Sequence, residues 1–235
     1  MTQADLESNE VINSYLNKTE LPLLSEENRI TPYSIRSEWT NYWLVDPLDG
    51  TKEFINKRSD YTVNIALIKK NQPLMGIVYA PAKSVLYYGL KGLGSYKVKT
   101  DNYSDSKTLL ENAKKISSGK IHKNLIVVAS KSHLSVETKE YISKLEKIAG
   151  KCEISSYGSS LKLCMVAEGS ADIYPRLGPT MEWDTAASHA VAEFADCVVL
   201  RLPDKKPIEY NKQDLLNPWF VVYNQNLDSL VRGIT

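Results

Sequence analysis

At 235 residues, 43% of them hydrophobic, the chain can bury a full core, as one compact domain or two intimate halves, and disorder is not expected. Its 29 Lys and Arg against 28 Asp and Glu leave a net charge of +1, so no global field speaks for a nucleic acid polymer or a membrane surface, and any anion binding must be local. Three cysteines without CxxC spacing (Cys152, Cys164, Cys197) disfavour a disulfide framework or a zinc site and fit a reduced, cytoplasmic protein; apolar runs fall far short of the roughly 18 residues that span a bilayer, and MTQADLESNE is too polar for a signal peptide.

Residues 4–17 have helical composition, with Val11, Ile12 and Tyr15 as a partial apolar face and Thr2 or Asp5 near the start. LLSEEN follows, an apolar pair ending in Glu26 and Glu27; such acidic pairs are usually solvated surface. Trp43, Leu44 and Val45 then read as the end of a buried strand that runs into DPLDGT. Pro47 favours an extended Asp46 and blocks a helix there, and Gly50 permits a tight fold. Asp46, the carbonyl of Leu48, Asp49 and the hydroxyl of Thr51 can therefore converge on one small volume. Asp-Pro and Asp-Gly are ordinary turn dipeptides. Two acids three residues apart after an apolar strand nevertheless repel each other unless a cation lies between them, and closely packed hard oxygen donors suit Mg²⁺. The segment reads as a metal-dependent phosphatase site.

From Tyr61 the pattern has period two, with Val63, Ile65 and Leu67 on one face, then the turn KKNQ and the run LMGIVYA: a hairpin, extended by VLYYGL and SYKV. Residues 43–98 are expected to form a largely antiparallel sheet, and 100–120 a loop-rich connection. The second half alternates instead: LIVVAS as strand, 135–149 as helix, EISSY as strand, 159–168 as helix, ADIYP as strand, a helix from about Thr185 to Ala195, then CVVLRL and WFVVY. The expected units are 1–120 and 121–235, meeting in a cleft that the 46–51 turn faces. Asp184 stands at a helix start, where an acid commonly just caps. Gly158, Ser159 and Ser160 precede a helix and could offer amides and hydroxyls to a phosphate, with Lys162 adding charge. Ala187, Ala190, Val191 and Phe194 form the apolar stripe of the later helix. His189 reads as packed, and Trp43, Trp183 and Trp219 as packing aromatics.

Together, WLVDPLDGTKEF, the upstream LLSEE and the downstream GPTMEWDTAASHA resemble the inositol monophosphatase superfamily of Mg²⁺-dependent phosphatases. KEF after DPLDGT, TVNIALI, VYAP, ASKSH, YGSSLKLCMVAEGSADIYPR and GPTMEWDTAA are similar to its 3′(2′),5′-bisphosphate nucleotidase branch, of the CysQ type. The resemblance implies a layered αβαβα sugar-phosphatase fold of α/β (α+β) class, with an antiparallel N-terminal sheet and a second mixed half. It implies two or three Mg²⁺ ions. Glu26, Asp46 and the Leu48 carbonyl would hold one, with Asp46 bridging, and Asp49 and Asp184 a second; Glu27 is the lesser of its pair. Thr51, backed by Asp5, would orient the attacking water. The substrate would be a small phosphorylated nucleotide, adenosine 3′,5′-bisphosphate, losing its 3′-phosphate, with an inositol or other sugar phosphate as the alternative. Gly50, Thr51, Gly158, Ser159, Ser160, Lys162 and Arg176 would contact it, and Ser130, Ser132 and His133 are lesser candidates. Two departures stand out. The helix and KxDxSP segment that ordinarily precede TxAD do not occur before it in this sequence, so either the start is truncated or the protein functions without that element; the latter leaves a homodimer as one way to cover exposed apolar surface and a non-catalytic binding protein as the contrasting reading. Ser188 replaces the usual glycine of WDTAAG.

Overall fold

Alternating and helix-spaced apolar residues resolve, in a computed structural model that describes residues 1–101, 105–130, 134–202 and 204–234, into two sheets with helices between and outside them. The first sheet holds β1 (Leu23–Ser25), β2 (Asn41–Asp49), β3 (Thr62–Lys69), β4 (Gln72–Ala80), β5 (Val85–Leu90), β6 (Gly94–Lys99) and β7 (Lys114–Ile116), side by side in chain order. All its neighbours are antiparallel except β1, which runs parallel to β2. The second sheet contains β8 (Ile126–Ser130), β9 (Glu153–Tyr157), β10 (Ile173–Arg176), β11 (Cys197–Arg201) and β12 (Phe220–Asn224), in the order β11-β12-β10-β8-β9. Its β8, β9 and β10 are parallel, and β12 runs antiparallel to both β10 and β11.

The helices are α1 (Gln3–Leu16), α2 (Tyr33–Arg36), α3 (Thr51–Ile55), α4 (Ser106–Glu111), α5 (Val136–Ala149), α6 (Leu161–Ala167), α7 (Glu182–Glu193) and α8 (Asp228–Gly233). The sandwiched pair is α6 and α7: α7 lies on β2 to β5 and also meets β11, while α6 packs on α7 and on β8, β10 and β12. One core therefore joins Leu44, Ile68 and Val78 of the first sheet through Val166 and Val191 to Val128 and Val222 of the second. Each such side chain contributes about 1.5–3 kcal/mol by full burial. A second cluster lies on the outer face of the second sheet, where Val127, Ile173 and Val221 meet Ile142 and Leu145 of α5 and Val231 of α8. With α1 against β2 the order of layers is αβαβα.

Close approach of α7 decides which face of β3 is buried. Thr62, Asn64, Ala66 and Ile68 are buried, whereas the more apolar Val63, Ile65 and Leu67 are only half-buried. Small residues let the helix ride on the strands: a Cβ at Gly76 would fall 2.1 Å from the Ala187 carbonyl. Period two identifies the strand, and packing distance selects the face.

Several boundaries differ from expectation. β2 continues four residues past Val45. The expected loop over 100–120 contains α4 and β7, an edge strand of sequence KKI whose lysines protect the sheet margin and hide it from pattern reading. β1, too short to carry a period, adds a parallel edge at the other side. α7 begins at Glu182, three residues before the predicted Thr185, and α3 and α8 were not foreseen. Cys152, Cys164 and Cys197 are buried free thiols. Among the described residues no helix is long and apolar enough to cross a membrane.

Candidate active site

The ladder between β2 and β3 is irregular between Asp46 and Asp49, around Pro47, which has no N–H to donate. Asp46 Oδ1 accepts the N–H of Leu48 at 3.0 Å, closing a small turn within the strand. Gly50 then adopts φ 93°, a left-handed conformation that favours glycine, and α3 starts at Thr51. On the other side, the parallel pairing of Ser25 with Val45 brings Glu26 beside Asp46, and the Glu26 N–H donates to the Val45 carbonyl at 3.2 Å. Asp184 occupies the first turn of α7, where its carboxylate accepts the Met181 N–H at 2.8 Å. It closes the turn from inside the helix, which explains the early start. Carboxylate oxygens of Glu26, Asp46 and Asp184 all lie within 4.8 Å of one another. Asp49 is adjacent and accepts the Ser160 N–H at 2.6 Å.

Burial raises the pKa of all four acids, and repulsion by neighbouring carboxylates adds to it for Glu26, Asp46 and Asp184. Asp46, 1% exposed, is pushed well above the usual carboxylate range by burial and then by Asp49 and Glu26. Asp184 is pushed up to about 7, by burial first and the Asp49 charge second. Glu26 is raised by burial and by Glu27, Asp49 and Asp5, against the lowering effect of a hydrogen bond with Asp46. Asp49 is raised by burial, partly offset by the nearby Lys162 ammonium. An oxygen-only donor set whose charges strain against one another is the chemistry that a hard divalent cation relieves. Glu27, half-buried, is not in the three-carboxylate group.

Thr51 and Asp5 meet across 46 residues of sequence. Thr51 Oγ1 lies 3.3 Å from Asp5 Oδ1 and 3.4 Å from the Leu48 carbonyl, and Asp5, 3% exposed, also accepts the N–H of Thr2. Polar contacts that sequence reading missed hold α1 over the turn. Ser8 donates to the Pro47 carbonyl at 2.9 Å, Ser25 donates to Asn9 Oδ1 at 2.8 Å, and Asn9 donates to Asn28 Oδ1 at 2.9 Å. The apolar half of the helical wheel gave no sign of them, because the buried face of α1 is Asp5, Asn9 and Ile12.

Beside the carboxylates opens a cavity of about 190 Å³ lined by Asp49, Gly50, Glu53, Ser159, Lys162 and Arg176, among others. Lys162 is 8% exposed; its ammonium donates to the Ser159 carbonyl at 2.7 Å, and burial pulls its pKa down to about 8. Ser159 has φ 45°, uncommon for a non-glycine residue, and its buried hydroxyl has no partner among the described residues. Arg176 donates from Nη2 to the Pro179 carbonyl at 2.8 Å, and its buried Nε is unpartnered. Gly158 backs onto the Asp60 main chain. Ser160, expected to turn its amide and hydroxyl to a phosphate, directs both into the protein: the amide to Asp49 and the hydroxyl to the Asp184 carbonyl at 2.5 Å.

Elsewhere, His189 is buried with Nδ1 2.8 Å from the Tyr210 hydroxyl, and burial takes its pKa down to about 3, so the ring is neutral. Ser188 is fully buried and donates to the Thr185 carbonyl at 3.1 Å. Trp43 donates to Thr19 Oγ1 at 2.8 Å; Trp183 is buried near the site, and Trp219 is 45% exposed. Ser132 and His133 lie outside the described residues, and Ser130 ends β8.

The model of the inositol monophosphatase family matches residues 1–232. The 3′(2′),5′-bisphosphate nucleotidase CysQ of Escherichia coli strain K12 is 42% identical over 226 residues, covering 94% of this chain and 84% of that one. A crystal structure of CysQ from Bacteroides thetaiotaomicron superimposes with a TM-score of 0.88 at 45% identity, over 94% of this chain and 83% of that one. A solved IMPase/NADP phosphatase complexed with Mg²⁺ and phosphate matches all of this chain and 81% of its own, with a TM-score of 0.77 at 20% identity, a likeness of fold.

Proposed function

The chain belongs to the inositol monophosphatase family, and from that membership we propose that it is a Mg²⁺-dependent 3′(2′),5′-bisphosphate nucleotidase, which hydrolyses the 3′-phosphate of adenosine 3′,5′-bisphosphate to give AMP and phosphate. The observation that carries the chemistry is the convergence of Glu26, Asp46 and Asp184 within 4.8 Å, next to Asp49 and a cavity holding Lys162 and Arg176. The carboxylates of Glu26, Asp46, Asp49 and Asp184 and the carbonyl of Leu48 would hold the ions. Bound there, Mg²⁺ supplies neutralisation of phosphate charge and a lowered pKa for water.

The remaining work falls to the protein. Asp5 takes the Thr51 hydroxyl proton in a hydrogen bond, which leaves a Thr51 Oγ1 lone pair to accept from the attacking water and aim its oxygen at phosphorus. The new P–O bond forms as the bond from phosphorus to the ribose 3′-oxygen breaks; in net, one proton of the attacking water ends on that departing oxygen and the other stays with the phosphate. Water thus ends in the phosphate, and no phosphoenzyme forms. Lys162 and Arg176 hold the second phosphate of the nucleotide, and the unpartnered Ser159 hydroxyl is placed to donate to it. An anion beside Lys162 favours its charged form and so offsets the effect of burial.

The test is phosphate release with Mg²⁺ from adenosine 3′,5′-bisphosphate and from an inositol monophosphate side by side. A kcat/KM at least about 100-fold higher for the nucleotide is expected, about 2.7 kcal/mol of discrimination. Preference for the inositol ester defeats the substrate assignment, and no turnover of either ester favours a binding protein.

A further inference from the structure

Asn64 and Ser160 belong to none of the metal ligands above, yet both are buried, at 1% and 2% exposure, and both are polar. Asn64 stands on β3 directly opposite Asp46, on the face that the sheet presents to α7. An asparagine inside a strand is disfavoured on propensity, and its amide oxygen has no partner among the described residues. Burying such a group is unfavourable unless its other contacts compensate. Those contacts all lead to the acids. Asn64 Nδ2 donates to Ser160 Oγ at 2.9 Å and lies 3.5 Å from Asp49 Oδ2. Ser160 Oγ in turn donates to the Asp184 carbonyl at 2.5 Å, and the Ser160 amide donates to Asp49 Oδ2 at 2.6 Å.

We propose that Asn64 and Ser160 are positioning residues, a strut that sets the spacing between Asp49 and Asp184 and with it the affinity for the metal ion those two share. Asp49 comes from the first sheet and Asp184 from the helix layer, and no covalent path shorter than 135 residues joins them. A serine hydroxyl bonded on one side to the sheet and on the other to the first turn of α7 closes that gap through two hydrogen bonds. The hydroxyl donates its one proton to Asp184 and accepts from Asn64, so the direction of both bonds is determined. Of the two protons on Asn64 Nδ2, one makes the firm bond to Ser160 Oγ at 2.9 Å, while the contact to Asp49 Oδ2, at 3.5 Å, is long and weak. Metal ligands oriented by such outer contacts commonly lose roughly 10- to 100-fold in affinity when the contact is removed.

This inference rests on the metal-dependent reading above, and the experiment separates the two. Metal-free wild type, Ser160→Ala, Asn64→Ala, the double variant and Ser160→Thr are titrated with Mn²⁺ and followed by the electron paramagnetic resonance of free ion, with far-UV circular dichroism as a check on folding. The expected result is roughly 10-fold weaker binding of one ion in Ser160→Ala and in Asn64→Ala. The double variant should lose little more than either, because both act through one hydroxyl, and Ser160→Thr, which keeps that hydroxyl, should recover most of the affinity. The Mg²⁺ concentration for half-maximal activity should rise in parallel, while KM for the nucleotide at saturating Mg²⁺ stays within about twofold. Folded alanine variants with wild-type affinity overturn the strut, as does a lowered melting temperature with unchanged affinity. Wild type that binds no divalent cation overturns the metal reading, and the strut with it.

Discussion

Asp184→Asn keeps an oxygen to accept from the Met181 N–H but removes one charge from the acidic group. In the folded, metal-free protein the Asp184 carboxyl titrates at about 7, against 3.8 for the ordinary group. Between those values the folded state holds more protons than the unfolded one, so stability is present at low pH and falls as pH rises through that window. The difference is about 3 units, and at about 1.4 kcal/mol per unit the ionised form of this one group is disfavoured by on the order of 4 kcal/mol above pH 7. Glu26, Asp46 and Asp49 shift in the same direction and add to the trend. Thermal melts in EDTA should therefore show wild type less stable at pH 8 than at pH 5, and Asp184→Asn more stable than wild type at pH 8. The gain is 1–4 kcal/mol, which at about 2–4 °C per kcal/mol for a chain of this length is several degrees. Saturating Mg²⁺ should raise the wild-type melting temperature at pH 8, by about 2.7 kcal/mol of stability at 100 times Kd, and raise that of the variant much less. Equal metal-free stability at the two pH values together with equal Mg²⁺ shifts in the two proteins would refute the argument that these acids repel one another until a cation joins them.

Three further outcomes follow from the same geometry. Because the ligands must ionise to bind, Mg²⁺ affinity measured by calorimetry should rise from pH 6 to pH 8 and level off above it; a flat profile excludes Asp184 as a ligand. Thr51→Val should lower kcat roughly 100-fold or more at unchanged melting temperature and nearly unchanged KM, since it removes the hydroxyl bonded to Asp5 that, in the proposed mechanism, orients the attacking water. Lys162→Met should chiefly raise KM for the bisphosphate, with the smaller effect on a substrate lacking the second phosphate; equal effects on both would remove Lys162 from that role.

The site's central turn was legible because its signals are local. Pro47 and Gly50 restrict the backbone, and an apolar strand that ends in two acids has few other uses. Period two in the first half and strand-helix alternation in the second marked two sheet-containing halves, whereas their layering as αβαβα was an implication of the family resemblance. Other elements carry no local signal. β1 is three residues long, and only its parallel register with β2 brings Glu26 to Asp46. β7 reads as KKI, a charged edge. Asn64 sits in an alternating strand at a position where pattern reading expects an apolar residue or solvent, and its partner Ser160 is 96 residues away. The expectation that Ser160 faces a phosphate came from its place before a helix; its amide and hydroxyl are taken instead by Asp49 and Asp184, a consequence of packing between layers.

The central claim is hydrolysis of one particular phosphate ester, and phosphorus NMR of the products of adenosine 3′,5′-bisphosphate tests it most directly. With Mg²⁺ present the account predicts loss of the 3′-phosphate resonance, growth of inorganic phosphate and survival of the 5′-phosphate as AMP, all abolished by EDTA. Release of the 5′-phosphate instead, or hydrolysis that proceeds unchanged in EDTA, would contradict it.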